Sequence, residues 1–149
     1  MRIQTKYLGE VEVEEQQLIH FATGIPGFID EKRFVLLELA DNPAFQILQS
    51  VETKDVAFVI TSPHTVYPDY TIKLDDAIME SLQIETEKDV LLFSIVTLKS
   101  PFQKSTLNLK SPLVINPRSK RGKQYIVAID EYSTTAPIVP ETPMEAKGE

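Results

Sequence analysis

"FQILQSVETKDVAFVIT", residues 45–61, holds two runs rich in β-branched and aromatic side chains, Phe45 to Val51 and Val56 to Thr61. Such residues fit a pleated, half-buried surface, so both runs read as strands. Turn signals bound the pair: Asp41-Asn42-Pro43 on one side and Ser62-Pro63-His64 on the other. Short strands between closely spaced turns are the pattern of an antiparallel β-barrel or sandwich.

Toward the N-terminus the same pattern continues. Phe34 to Leu39 ("FVLLEL") is a strand, and Leu18 to Phe21 is a shorter apolar run. Glu10 to Glu14 alternates charge with valine, the period of a half-buried strand. Arg2 to Leu8 also alternates, with Ile3 and Tyr7 expected on one face, and Gly9 marks a turn.

Toward the C-terminus, Tyr67-Pro68-Asp69 is another break. The period changes once. In "KLDDAIMESLQI", Leu74, Ile78 and Leu82 recur four apart, and Asp75 and Asp76 stand where a first turn favours acids. This predicts one short helix over Asp75 to Leu82. Val90 to Leu98 is the most apolar run and is expected to be central. After the break at Ser100-Pro101-Phe102 come strands over Thr106–Leu109, Leu113–Ile115 and Lys123–Ile129. Pro112 and Pro117 belong at edges or turns, because they cannot donate to a ladder. From Ser133 the chain is Pro-rich without aromatic residues or period.

The expected fold is therefore all-β and mainly antiparallel: a small β-barrel-like or sandwich-like domain with one short helix. The domain is expected over residues 1–132, followed by a flexible tail over 133–149. No repeat and no second domain are visible.

With 149 residues, the chain is long enough for one core without staples. It has no cysteine, which excludes a disulfide scaffold and a thiolate metal site. The N-terminus shows no apolar signal region, and the longest apolar run is too short for a bilayer, so a cytoplasmic protein without membrane contact is expected. The formal net charge of −7 opposes direct nucleic-acid binding and attracts basic partners. "RSKRGK", residues 118–123, is a local exception. It reads as the tip of the last hairpin, where cations are solvated and discourage edge pairing; the functional alternative is phosphate contact.

Motifs for catalysis are missing. There is no Gly-rich phosphate loop, dinucleotide fingerprint or Gly-x-Ser-x-Gly elbow. His20 and His64 are the only imidazoles, and each is expected to satisfy a local hydrogen bond rather than a metal. The adjacent acids Glu14-Glu15 and Asp75-Asp76 do not share a face, so they read as surface or capping groups. The missing motifs weaken nucleotide-binding and hydrolase readings, and no cofactor and no metal are expected. Phe21, Phe28, Phe45 and Phe102 each lie beside a turn signal. They either cap the ends of the core or together form an apolar recognition surface. In "HFATGIPGFID", residues 20–30, Gly24 and Gly27 permit a tight turn and Pro26 stiffens it.

Several stretches, in order, resemble the FliW family of flagellar assembly factors. They are "GIPGF" (24–28), "NPAFQILQSVE" (42–52), "FVITSP" (58–63), "DY" (69–70), "TLNLKSPLVIN" (106–116) and "GKQYIV" (122–127). The resemblance runs from Met1 to about Asp130. It implies a small cytoplasmic β-barrel-like protein without catalytic activity that binds flagellin before export. It also implies binding to CsrA, a small basic RNA-binding protein that represses flagellin translation. Flagellin and CsrA would then alternate as partners, coupling translation to export. Residues expected to face or support a partner are Ile25, Pro26, Phe28, Phe45, Gln49, Asp69, Tyr70 and Asn116. Asp75, Asp76, Glu85 and Glu87 are acids that would suit CsrA. The free protein is expected to be a monomer. The competing readings are a small-molecule-binding barrel, hydrolytic through Asp69 and His64, and a nucleic-acid-binding barrel using residues 118–123.

Overall fold

The computed structural model describes residues 1–128 and 132–139. Strands β3 (Ile19–His20), β4 (Arg33–Glu38), β5 (Phe45–Ser50), β6 (Ala57–Thr61), β7 (Leu91–Thr97), β9 (Leu113–Asn116) and β10 (Arg121–Gln124) close into a seven-stranded barrel. Its order is β7-β6-β5-β4-β3-β10-β9, and β9 returns to β7 through pairs such as Leu92 with Val114. Closure selects the barrel over the sandwich. All these ladders are antiparallel except β3–β10, which is parallel and pairs His20 with Arg121.

Period-two alternation builds the interior. Phe34, Leu48, Ile60, Leu113 and Ile115 point inward with Ile19 and Phe21, and all are buried. Phe21 meets Phe34 edge-on at 5.2 Å. Each such large apolar side chain contributes about 1.5–3 kcal/mol when fully buried. Gly122 is required beside them: a Cβ there would lie 2.6 Å from the Phe21 ring.

Three covers pack on the outside. The hairpin of β1 (Arg2–Gln4) and β2 (Glu10–Glu12), with its flanking residues, lays Ile3, Val13 and Leu18 on Val35 of β4. Helix α2 (Asp76–Ser81) places Ile78, and Leu82 just after it, against Val114 of β9. Strands β8 (Thr106–Leu107) and β11 (Ala136–Pro137) extend the sheet from the end of β7, burying Leu107, Ala136 and Ile138 with Tyr70 and Val96.

Several expectations need correction. Among the described residues there are two short α-helices rather than one. The second is α1 (Pro63–Val66), where Pro63 occupies the first turn. A proline read as a break is also a favourable helix start, since its missing N–H is not needed there. Helix α2 lies where the period placed it, and the Asp75 side chain accepts from the Ile78 N–H at 2.9 Å. Tyr7 does not share the face of Ile3. Thr5 is buried and turns the chain, donating its hydroxyl to the Gly9 carbonyl at 2.6 Å, and Tyr7 is left exposed. Strand β7 is central, bonded to β6, β8 and β9, yet Leu91 and Leu98 at its ends are exposed. Strand β10 starts at Arg121 and ends at Gln124, so the expected span Lys123–Ile129 is displaced; Ile129 lies outside the described residues. The tail expected from 133 is corrected over 133–139, because Ala136 and Pro137 pair with Leu107 and Thr106. Residues 140–149 lie outside the described residues.

Candidate functional site

The loop after β3 is built around a β-turn from Ile25 to Phe28. The Phe28 N–H donates to the Ile25 carbonyl at 2.6 Å, and Gly27 takes φ +87° after Pro26. Pro at the second position and a positive-φ Gly at the third are the signature of a type II turn. Gly24, at φ +67°, is held more tightly, since a Cβ would fall 2.6 Å from the Ile29 backbone. The turn sends Ile25 into the barrel core, where it is buried. Phe28 stays 40% exposed and leans edge-on against Phe58 at 5.3 Å. Pro26 and Ile29 are exposed beside it. The side chain that plugs this barrel end is therefore Ile25, which leaves it the supporting one of the two roles expected for it.

Phe45 and Phe102 meet edge-on at 5.8 Å. With Tyr7, Leu39, Ile47, Val59 and Leu98 they line an apolar groove of about 250 Å³. Tyr7, Leu98 and Phe102 are each close to half exposed, at 48%, 51% and 45%. Contiguous exposed apolar surface of this kind marks interaction sites. Phe21, by contrast, is fully buried and belongs to the core alone.

Gln49 and Asn116 are polar, fully buried and structural. Gln49 donates from Nε2 to the carbonyls of Ser50 and Lys54 at 3.0 Å, and its Oε1 accepts from the Lys6 N–H at 3.0 Å. Asn116 donates to the carbonyls of Leu82 and Gln83 at 2.8 and 3.1 Å, and accepts from the Arg118 N–H at 2.8 Å. Both side chains replace backbone partners that the turns leave open. Both polar groups are spent inside the protein, so of the two roles expected for these residues the burial fits support.

Asp69 is exposed, whereas Tyr70 is buried. The Tyr70 hydroxyl donates to the Leu109 carbonyl at 2.6 Å, and its ring lies 4.6 Å from that of Tyr132. Burial, and secondarily the nearby Tyr132, push the Tyr70 hydroxyl well above its ordinary pKa. With Tyr67 these residues line a pocket of about 520 Å³.

The basic loop is the β9–β10 hairpin tip, as expected, but it is not simply solvated. Arg118 pairs with Asp89 through Nε and a terminal nitrogen, each at 3.2 Å, and donates to the Gln83 carbonyl at 2.6 Å. Arg121 donates to the Ser81 carbonyl at 3.0 Å. The Arg118 guanidinium and the Glu85 N–H hold the Asp89 carboxyl at about 2. Two of the loop's four cations thus fasten the hairpin to the C-terminal end of α2, where positive charge is favourable. Of the acids considered for a basic partner, Asp75 caps α2 and Glu85 lies 3.7 Å from Arg118, while Asp76 and Glu87 are exposed.

No hydrolytic pair forms between Asp69 and His64. A His64 ring nitrogen is 2.8 Å from the Tyr70 carbonyl, and among the described residues Asp69 has no hydrogen-bond or ion-pair partner. Among the described residues, no group of His, Asp and Glu is arranged to hold a metal ion.

The sequence profile described as FliW protein matches residues 2–138. The chain belongs to the FliW family. A relative named flagellar assembly factor FliW, from Oceanobacillus iheyensis, is 48% identical over 149 residues, covering all of both chains. The protein of that name from Geobacillus kaustophilus is 48% identical over 141 residues, covering 95% of this chain and 97% of the relative. A crystal structure of the flagellar assembly factor FliW superposes with a TM-score of 0.91 at 44% identity, covering 95% of this chain and 99% of the other.

In this FliW-family chain the eight expected site residues do not form one cluster. Pro26 and Phe28 lie on the turn, Phe45 in the apolar groove and Asp69 at the tyrosine pocket; the other four are buried supports. Sequence reading missed Tyr7, Leu39 and Leu98 as groove residues. The alternation only places Tyr7 on the face of Ile3, and Leu39 and Leu98 read as ordinary strand residues. The half-buried Leu39 and the exposed Leu98 lie just past the ends of β4 and β7, and periodicity locates strand ends poorly.

Proposed function

We propose that this protein is a non-enzymatic, cytoplasmic flagellar assembly factor that binds flagellin and antagonises CsrA by partner switching. Membership of the FliW family over residues 2–138 carries the reading. The apolar groove at Phe45 and Phe102 suits the amphipathic terminal segments of unassembled flagellin, which need a surface for their apolar face. The net charge of −7 suits a basic RNA-binding protein, and a docked acidic domain also repels the phosphate backbone of a bound messenger. The free protein acts as a monomer, and its two partners compete for it or oppose each other through it.

Calorimetric titration with purified CsrA, alone and after saturation with flagellin, tests the proposal. Saturable CsrA binding that weakens when flagellin is present is expected, with flagellin affinity reduced in Phe102→Ala at unchanged thermal stability. A folded protein that binds neither partner by calorimetry or by a second method sinks the reading.

A further inference from the structure

We infer that the tyrosine pocket is a receptor for an arginine side chain carried by a partner protein. Tyr67, Tyr70, Tyr132 and Asp69 line it, and among the described residues no lysine or arginine does. All three hydroxyls are tied to backbone. Tyr67 donates to the Pro137 carbonyl at 2.6 Å and Tyr70 to the Leu109 carbonyl at 2.6 Å. The Tyr132 hydroxyl donates to the Thr71 carbonyl at 2.8 Å and accepts from the Thr71 N–H at 3.0 Å. Burial raises the Tyr67 and Tyr70 hydroxyls above their ordinary pKa, so both remain neutral donors. With its hydroxyls engaged, each ring is fixed, and the rings contribute carbon surface and π density to the pocket rather than free polar groups.

Among the described residues Asp69 supplies the one carboxylate in the lining, and it is exposed and without a partner there. Fixed aromatic rings beside an unpaired carboxylate repel anions and favour cations. A guanidinium fits better than an ammonium: it is planar, weakly hydrated, stacks on aromatic rings and pairs with a carboxylate through two N–H groups. The volume of about 520 Å³ leaves room for the backbone flanking such a side chain. The site is separate from the apolar groove, which shares none of its lining residues. The assignment rests on the binding-protein reading only for which protein brings the arginine.

The test is an NMR titration of the full chain with capped Gly-Arg-Gly, Gly-citrulline-Gly and Gly-Lys-Gly peptides, following the ring protons of the tyrosines. The arginine peptide is expected to shift Tyr67, Tyr70 and Tyr132 saturably while Tyr7 and Tyr125 stay still. Asp69→Asn, checked for an unchanged fold by its spectrum, is expected to bind at least about fivefold more weakly, as for loss of an ion pair to a guanidinium. An equal response to the citrulline peptide, shifts that spare the pocket tyrosines, or no effect of Asp69→Asn would overturn the site. Equal binding of the lysine peptide would overturn its preference for arginine. Because the peptides probe the pocket alone, failure of this test and failure of the flagellin and CsrA titration are distinguishable.

Discussion

Gly24 and Gly27 share one loop and a positive φ, but a methyl group meets different surroundings at each. At Gly27 it meets nothing within 4 Å, so alanine carries only the backbone penalty of about 1–2 kcal/mol. At Gly24 it collides with the Ile29 backbone, and relief requires the loop to move. Gly24→Ala is therefore expected to lose about 3 kcal/mol or more, clearly exceeding Gly27→Ala, as read from urea denaturation midpoints. Equal losses would show that the Ile29 contact yields freely. The need for glycine was legible in "GIPG", because Pro-Gly has few other uses. Which apolar neighbour points inward was not. Ile25 and Phe28 are symmetric about the turn in sequence, and only the closing of the barrel end over Ile25 separates them. Gln49 and Asn116 show a related limit: sequence does not say whether a polar strand residue faces outward, and here both serve carbonyls and an N–H left open by turns and a helix end.

At the scale of elements, β-branched and aromatic runs located most strands, and the four-residue period located α2. The two-residue strands β3 and β8 lie inside the longer runs expected at Leu18–Phe21 and Thr106–Leu109, whereas β11 carries no period and escaped. Strand β11 is the telling case. Its sequence is Pro-rich, yet Pro137 sits on an outer strand where one missing N–H is tolerated, and Ala136 and Ile138 are 6% and 7% exposed. Removing the chain after residue 132 is expected to lower stability by about 2–4 kcal/mol, from the lost burial of Ile138, Ala136 and the uncovered Leu107. Thermal denaturation of the truncated and full chains checks this. An unchanged melting temperature would mean that β11 packs without stabilising.

At the scale of the molecule, composition indicated the charge and the absence of thiol chemistry, while topology stayed hidden. The parallel contact of β3 with β10 joins residues a hundred positions apart, and no local pattern encodes such a pairing. The family resemblance supplied the fold where periodicity could only narrow it to barrel or sandwich. The net charge also makes a kinetic prediction. Association with CsrA should slow by about tenfold or more as salt rises from about 50 mM to about 500 mM, because steering between opposite charges is screened within about 10 Å at 0.1 M. Stopped-flow association rates check it, and a salt-independent rate would remove charge steering from the proposal.

The placement of β10 between β3 and β9 has a consequence for synthesis. The first barrel strand made and the last are neighbours in the closed ring. A nascent chain can form its β4–β5–β6 meander as it emerges, but the ring stays open until Gln124 has left the ribosome. Folding by domain during synthesis is thus replaced by a single late closure, and a ribosome-bound chain short of that point has neither a sealed core nor a finished surface to offer.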